Sequence, residues 1–142
     1  MFCYKYPHPA VTADCIVFYN EENKISVLLI KRKNEPYKDY WAFPGGFVNI
    51  DESAEDAAIR ELKEETGLEI SKVEQLKAYS NPDRDPRERV ITIAFIAESK
   101  IKKVKGGDDA KEARWFDISN LPPLAFDHEQ ILKDALDKLR NK

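Results

Sequence analysis

The sequence predicts an α/β fold, a mixed sheet covered by helices on both faces. Three observations carry this reading. Short apolar runs of strand type recur along the chain, two helix signals stand among and after them, and 142 residues of 16.4 kDa suit one domain, residues 1–142. A content of 42 % hydrophobic and 35 % charged residues supplies enough apolar surface to offset chain entropy, which excludes a disordered or collagen-like chain. No apolar run approaches the roughly 18 residues of a membrane span, and the opening residues are too polar and aromatic for a secretory leader. A cytoplasmic address without membrane contact is therefore expected. The formal net charge of −3 offers no overall basic field, so no nucleic-acid partner is expected either.

Taken in order, Val11, Ala13, Cys15, Val17 and Tyr19 alternate with mixed partners, the period of a strand. A turn at residues 20–24 leads to the β-branched run Ile25–Ile30, its expected hairpin partner. Pro44-Gly45-Gly46 marks a backbone manoeuvre that side chains would obstruct. A helix follows, capped by Ser53 with Asp56 three residues on, and ending at Gly67. Strands are expected at Val73–Tyr79, Val90–Ala97 and around Ala113–Phe116, separated by a proline-bearing loop at 81–87 and a glycine-rich one at 105–111. The last helix carries Ile131, Leu132, Ala135, Leu136 and Leu139 on one face, with Asp127 as N-cap and Gln130 as its capping-box partner. Cys3 and Cys15 have neither metal nor disulfide spacing and read as free thiols. Trp41 and Trp115 read as core or dimer-contact aromatics.

On a wheel of about 100° per residue, Glu64 falls about 60° to one side of Glu61 and Glu65 about 40° to the other. Ala54, Ala57 and Ala58 share that face and would leave room for a substrate above the acids. Like charges at this spacing cost roughly 0.2–0.5 kcal/mol a pair on a helix, so something should offset them. Three such glutamates also read as a solvated acidic face. A plain surface helix, however, needs no glycine pair before it. Hard divalent cations take oxygen donors and leave positions for water and phosphate, which a carboxylate cluster suits. Arg60, beside the cluster, and Glu52, just before the helix, could pin loop to helix.

Read continuously, Gly46, five residues, Glu52, seven residues, Arg60-Glu61-Leu62, one residue, Glu64-Glu65, one residue and Gly67-Leu68 resemble the Nudix box at every fixed position. The surrounding order of elements is similar to a whole Nudix domain. The resemblance implies a Nudix-type α/β/α sandwich with a mixed sheet, and a pyrophosphohydrolase cleaving a nucleoside diphosphate linked to another moiety. It implies Glu61, Glu64 and Glu65 as ligands of Mg²⁺, or of Mn²⁺ in its place, with the Gly45 carbonyl as a further ligand. Gly46, Glu52, Arg60 and Gly67 are then structural positions of the motif. Cleaving a pyrophosphate requires neutralising phosphate charge and making water nucleophilic, and bound metal ions serve both ends. The general base belongs either to the helix or to a loop, in the order Asp109, Glu112, Glu61. Asp108 and Asp109 also suit a solvated glycine-rich turn.

The segments Tyr79 to Arg87 and Leu121 to His128 resemble the ADP-ribose pyrophosphatase branch, which implies hydrolysis of ADP-ribose to AMP and ribose 5-phosphate. Arg32, Arg84 and Arg87 are candidates for phosphate or ribose contacts, as bidentate guanidinium donors, or else solvated surface arginines. Phe126 offers a ring for core packing or for stacking on a base, and His128 is either a surface residue or a base or ribose partner. Competing readings are a sanitising nucleoside-triphosphate hydrolase and a non-catalytic ligand sensor of the transcriptional-regulator type. The intact box and the acidic residues interrupting the last helix weigh against DNA binding. By resemblance alone a homodimer is expected.

Overall fold

The computed structural model describes residues 1–104 and 112–141, so Asp108 and Asp109 lie outside the described residues. The strands are β1 (Ala10–Glu21), β2 (Lys24–Lys31), β3 (Trp41–Ala42), β4 (Gly45–Phe47), β5 (Glu74–Tyr79), β6 (Val90–Glu98) and β7 (Ala113–Asp117). The helices are α1 (Ala54–Thr66) and α2 (His128–Arg140). The sheet runs β3-β2-β1-β6-β5, with β4 added to β1 and β7 to β2. β1 pairs parallel with β6 and antiparallel with β2 and β4, so the sheet is mixed as expected. The β1–β2 hairpin closes through Glu22 and Asn23 at φ 50° and 66°, two left-handed residues whose twist matches that of the flanking strands.

Because β1 runs through the middle of the sheet with a helix over each side, its residues 13–18 are buried on both faces rather than on one. Ile16 and Phe18 face α2, where they meet Val27, Leu29, Trp41, Phe43, Ile131 and Leu132. Cys15 and Val17 face α1, with Leu28, Leu62, Phe95 and the helix alanines. The mixed sheet covered on both faces is thus borne out. Burial pushes the Cys15 thiol up to about 12, which leaves it inert, while Cys3 is exposed. Trp41 belongs to the core, whereas Trp115 is half-buried against Tyr19.

Two expectations about the helices need correcting. Ala57 and Ala58 are fully buried against the sheet, so the alanines do not open space for a substrate. Small side chains let α1 approach the strands closely, and that approach carries its acids to β4. In α2, Asp127 stands at the N-cap position without a side-chain capping bond. Its carboxylate instead accepts two hydrogen bonds from Arg84, at 2.9 Å from Nε and 2.7 Å from Nη2, and Gln130 bonds Asp134. A bidentate guanidinium outcompetes the helix's own N–H groups. The short strands β3 and β4 were not expected; two or three residues carry too little periodicity to read.

Candidate active site

Local chemistry fixes where α1 starts and stops. Ser53 Oγ accepts from the Asp56 N–H at 3.0 Å, and Gly67 closes the helix in the left-handed region at φ 76°. Between these ends Glu61 and Glu65 point towards β4. Glu65 Oε1 accepts from the Gly45 N–H at 2.8 Å, and the residue is only 8 % exposed. A Cβ on Gly46 would run into the Glu61 carboxylate, and one on Gly45 into Asp14 Oδ1 and the Ala13 carbonyl. Close approach, not positive φ, is what the glycine pair provides.

Arg60 offsets the crowded acids. Its Nη2 meets Glu52 Oε1 at 2.6 Å, pinning the loop before α1, while Nη1 meets Glu61 at 2.6 Å and Glu64 at 3.2 Å. Burial raises the Glu61 pKa above the ordinary carboxylate value, with Arg60 opposing the shift. The Glu64 side chain is 53 % exposed at the outer edge of the cluster.

Across from α1, one cavity of about 510 Å³ joins Gly45, Gly46, Glu61 and Glu65 to Arg32, Arg84, Arg87, Phe126 and His128. Most of the residues singled out from sequence therefore meet in one place. Glu64 stays outside it, as does Glu112, whose carboxylate pairs with Arg114 at 2.9 Å. The arginines are not solvated surface groups of one kind. Arg84 is buried on Asp127, its side chain 4 % exposed, and Arg87 is held by Asp85 at 2.7 Å. Arg32 donates from Nε to the Pro36 carbonyl at 2.9 Å and has no ion-pair partner among the described residues. Burial and the neighbouring Arg87 lower its pKa, so it favours an anion from outside.

Phe126 is not core packing: it is half-buried and lines the cavity. Its φ of 52° is held between the Ala125 N–H bond to Trp41 and the His128 N–H bond to Ala125. The Arg32 guanidinium lies 4.9 Å and that of Arg87 5.6 Å from its ring centroid. His128 is not a surface residue, being 3 % exposed and stacked on Phe43. Its Nδ1 accepts from the Phe43 N–H at 3.2 Å, so the ring proton sits on Nε2, which faces Asp14 Oδ2 at 3.7 Å. Burial lowers its pKa, against the pull of Asp14, and keeps the ring neutral. Asp14 and Asp85 escaped the sequence reading. A lone acid within an apolar strand was the available sign for Asp14.

A model of the NUDIX domain matches residues 8–137. The chain belongs to the NUDIX family. It is 58 % identical over 132 residues to an ADP-ribose pyrophosphatase of Methanocaldococcus jannaschii, covering 92 % of this chain and 75 % of that one. The NUDIX domain of Shewanella oneidensis NrtR, solved with ADP ribose, superposes with a TM-score of 0.88 at 29 % identity, over 94 % of this chain and 90 % of that one. A bifunctional NMN adenylyltransferase/ADP ribose pyrophosphatase of Francisella tularensis, complexed with AMP and a Mn ion, superposes with a TM-score of 0.81 at 30 % identity. That alignment covers 95 % of this chain and 43 % of the Francisella chain, so the match spans less than half of that NUDIX relative.

The donor set fits a hard divalent cation, since Glu61, Glu64, Glu65 and the Gly45 carbonyl offer only oxygen. As they stand, no three acidic, His or Cys side chains among the described residues are grouped to hold a metal ion. Glu61 and Glu64 instead share Arg60, and Glu65 is turned to Gly45. Among the described residues, no helix is long and apolar enough to cross a membrane.

Proposed function

We propose that this Nudix protein hydrolyses ADP-ribose to AMP and ribose 5-phosphate, using Mg²⁺. The observation that carries the reading is a single cavity with carboxylates on one wall and three arginines with an aromatic ring on the other. Its similarity to the Methanocaldococcus pyrophosphatase supports the substrate, as does the bound ADP ribose of the NrtR domain. Glu61, Glu64 and Glu65, with the Gly45 carbonyl, would hold the divalent ions, which when bound neutralise diphosphate charge and acidify water.

The remaining work falls to residues of the chain. Arg32, without a carboxylate of its own, binds a phosphate oxygen, while Arg84 and Arg87 shape the wall around it. Of the base candidates, Asp109 lies outside the described residues and Glu112 does not line the cavity. Glu61 is placed in the cavity and takes the water proton in this reading. Water oxygen bonds to one phosphorus, the bridging P–O bond breaks, and the leaving phosphate carries away the electron pair.

Incubation with Mg²⁺ and a panel of ADP-ribose, ADP-glucose and normal and oxidised dNTPs, followed by chromatography, tests this. Release of AMP and ribose 5-phosphate is expected. Pyrophosphate from triphosphates, without turnover of ADP-ribose, would give the site to the sanitising reaction. Tight binding of ADP-ribose without turnover would instead make the chain a sensor.

A further inference from the structure

Thr12, Asp14, Ile16 and Phe18 share one face of β1, because strand side chains alternate with a period of two. Ile16 and Phe18 belong to the core beneath α2, whereas Thr12 and Asp14 line the cavity. Asp14 is thus the point at which an apolar row becomes a binding wall. Its side chain is 10 % exposed. Oδ2 is supplied, accepting from the Thr92 hydroxyl at 2.6 Å and facing the His128 Nε2–H at 3.7 Å. Oδ1 takes no hydrogen bond from the described residues and lies against Gly45, in the space a Cβ would fill.

No buried side-chain oxygen among the described residues lacks a partner, so Oδ1 opens onto the cavity, where a ligand hydroxyl can take the place of water as its donor. None of the cavity's arginines pairs with Asp14: Arg84 is committed to Asp127 and Arg87 to Asp85, and Arg32 makes no ion pair among the described residues. A phosphoryl group brought to the same spot would meet uncompensated negative charge.

We propose that Asp14 is a specificity-determining residue of this cavity, its Oδ1 accepting a hydrogen bond from a ribose hydroxyl and its charge turning away a phosphoryl group. The inference rests on the ADP-ribose reading and deepens it. A nucleoside diphosphate capped by a neutral sugar fits such a wall, and a triphosphate of the same nucleoside does not. The hydroxyl comes from either the nucleoside ribose or the terminal ribose, which the products AMP and ribose 5-phosphate separate.

Asp14→Asn keeps the size, removes the charge and turns an N–H towards the cavity. Calorimetry in EDTA measures the affinities of wild type and variant for ADP-ribose, ATP, AMP and ribose 5-phosphate, and kcat/KM with Mg²⁺ is measured alongside. The preference for ADP-ribose over ATP is expected to fall by about tenfold or more, with weaker ADP-ribose binding and unchanged or tighter ATP binding. Whichever product loses affinity identifies the ribose. A common change for both nucleotides, or none, would overturn the proposal, as would a wild type that does not prefer ADP-ribose. Wild-type binding of ADP-ribose without hydrolysis would defeat the catalytic reading alone. Should Asp14→Asn fail to fold in a thermal melt, Thr92→Val serves: it frees the carboxylate without removing its charge. Weaker ADP-ribose binding with ATP still excluded is then expected, and unchanged ADP-ribose affinity would refute the role.

Discussion

At the scale of single residues, the acids of α1 are held by partners that a metal ion would have to share. Glu65 bonds the Gly45 N–H, and Arg60 draws Glu61 and Glu64 together. Glu65→Gln keeps shape and hydrogen-bonding capacity but loses the charge a cation needs. Turnover of ADP-ribose is expected to fall at least as far as the roughly 10–100-fold that follows loss of a ligand's supporting partner. A titration of rate against Mg²⁺ checks this, with half-saturation moving to higher concentration. Gly46→Ala places a methyl group on the Glu61 carboxylate, so activity should drop further than thermal stability does. Paired melts and initial rates measure that difference.

At the scale of elements, helix ends and helix anchors carry distinct energies. Removing the Ser53 hydroxyl from the start of α1 by Ser53→Ala is expected to cost about 1 kcal/mol, read from the urea midpoint. The Arg84–Asp127 pair joins the 81–87 loop to the start of α2. Because the Arg84 side chain is only 4 % exposed, Asp127→Asn leaves a buried guanidinium short of its counter-charge. A loss of about 3 kcal/mol is expected, larger than that of the cap, and urea denaturation orders the two.

At the scale of the whole molecule, buried His128 ties stability to pH. Its folded pKa lies below the ordinary value of about 6.5, so between those two values the unfolded chain binds a proton that the folded chain refuses. Stability is therefore full above about pH 6.5 and declines as pH falls towards the folded value, by up to about 1.4 kcal/mol per pH unit. His128→Gln should flatten this part of the profile in urea denaturations across pH 5–8. The same residue shows what the sequence could and could not disclose. The β1–β2 hairpin, both helices and the box were legible, because period, caps and fixed spacing are local properties. Phe126 and His128 were named as candidates, but which of their alternatives held was not legible, since that depends on contacts with Phe43 and Arg32, far away along the chain. Asp127 misled for a related reason: a good capping residue was claimed by an arginine 43 positions earlier. Asp14 lay hidden in an apolar strand, its surroundings set by Gly45 and Thr92. The bond from Phe43 to His128 also orders events during synthesis. A nascent chain whose residues 128–140 are still inside the ribosome can form the hairpin and α1, yet the Phe43 N–H lacks its imidazole acceptor and the cavity lacks the wall that His128 supplies, so the cavity is complete only after this helix has emerged.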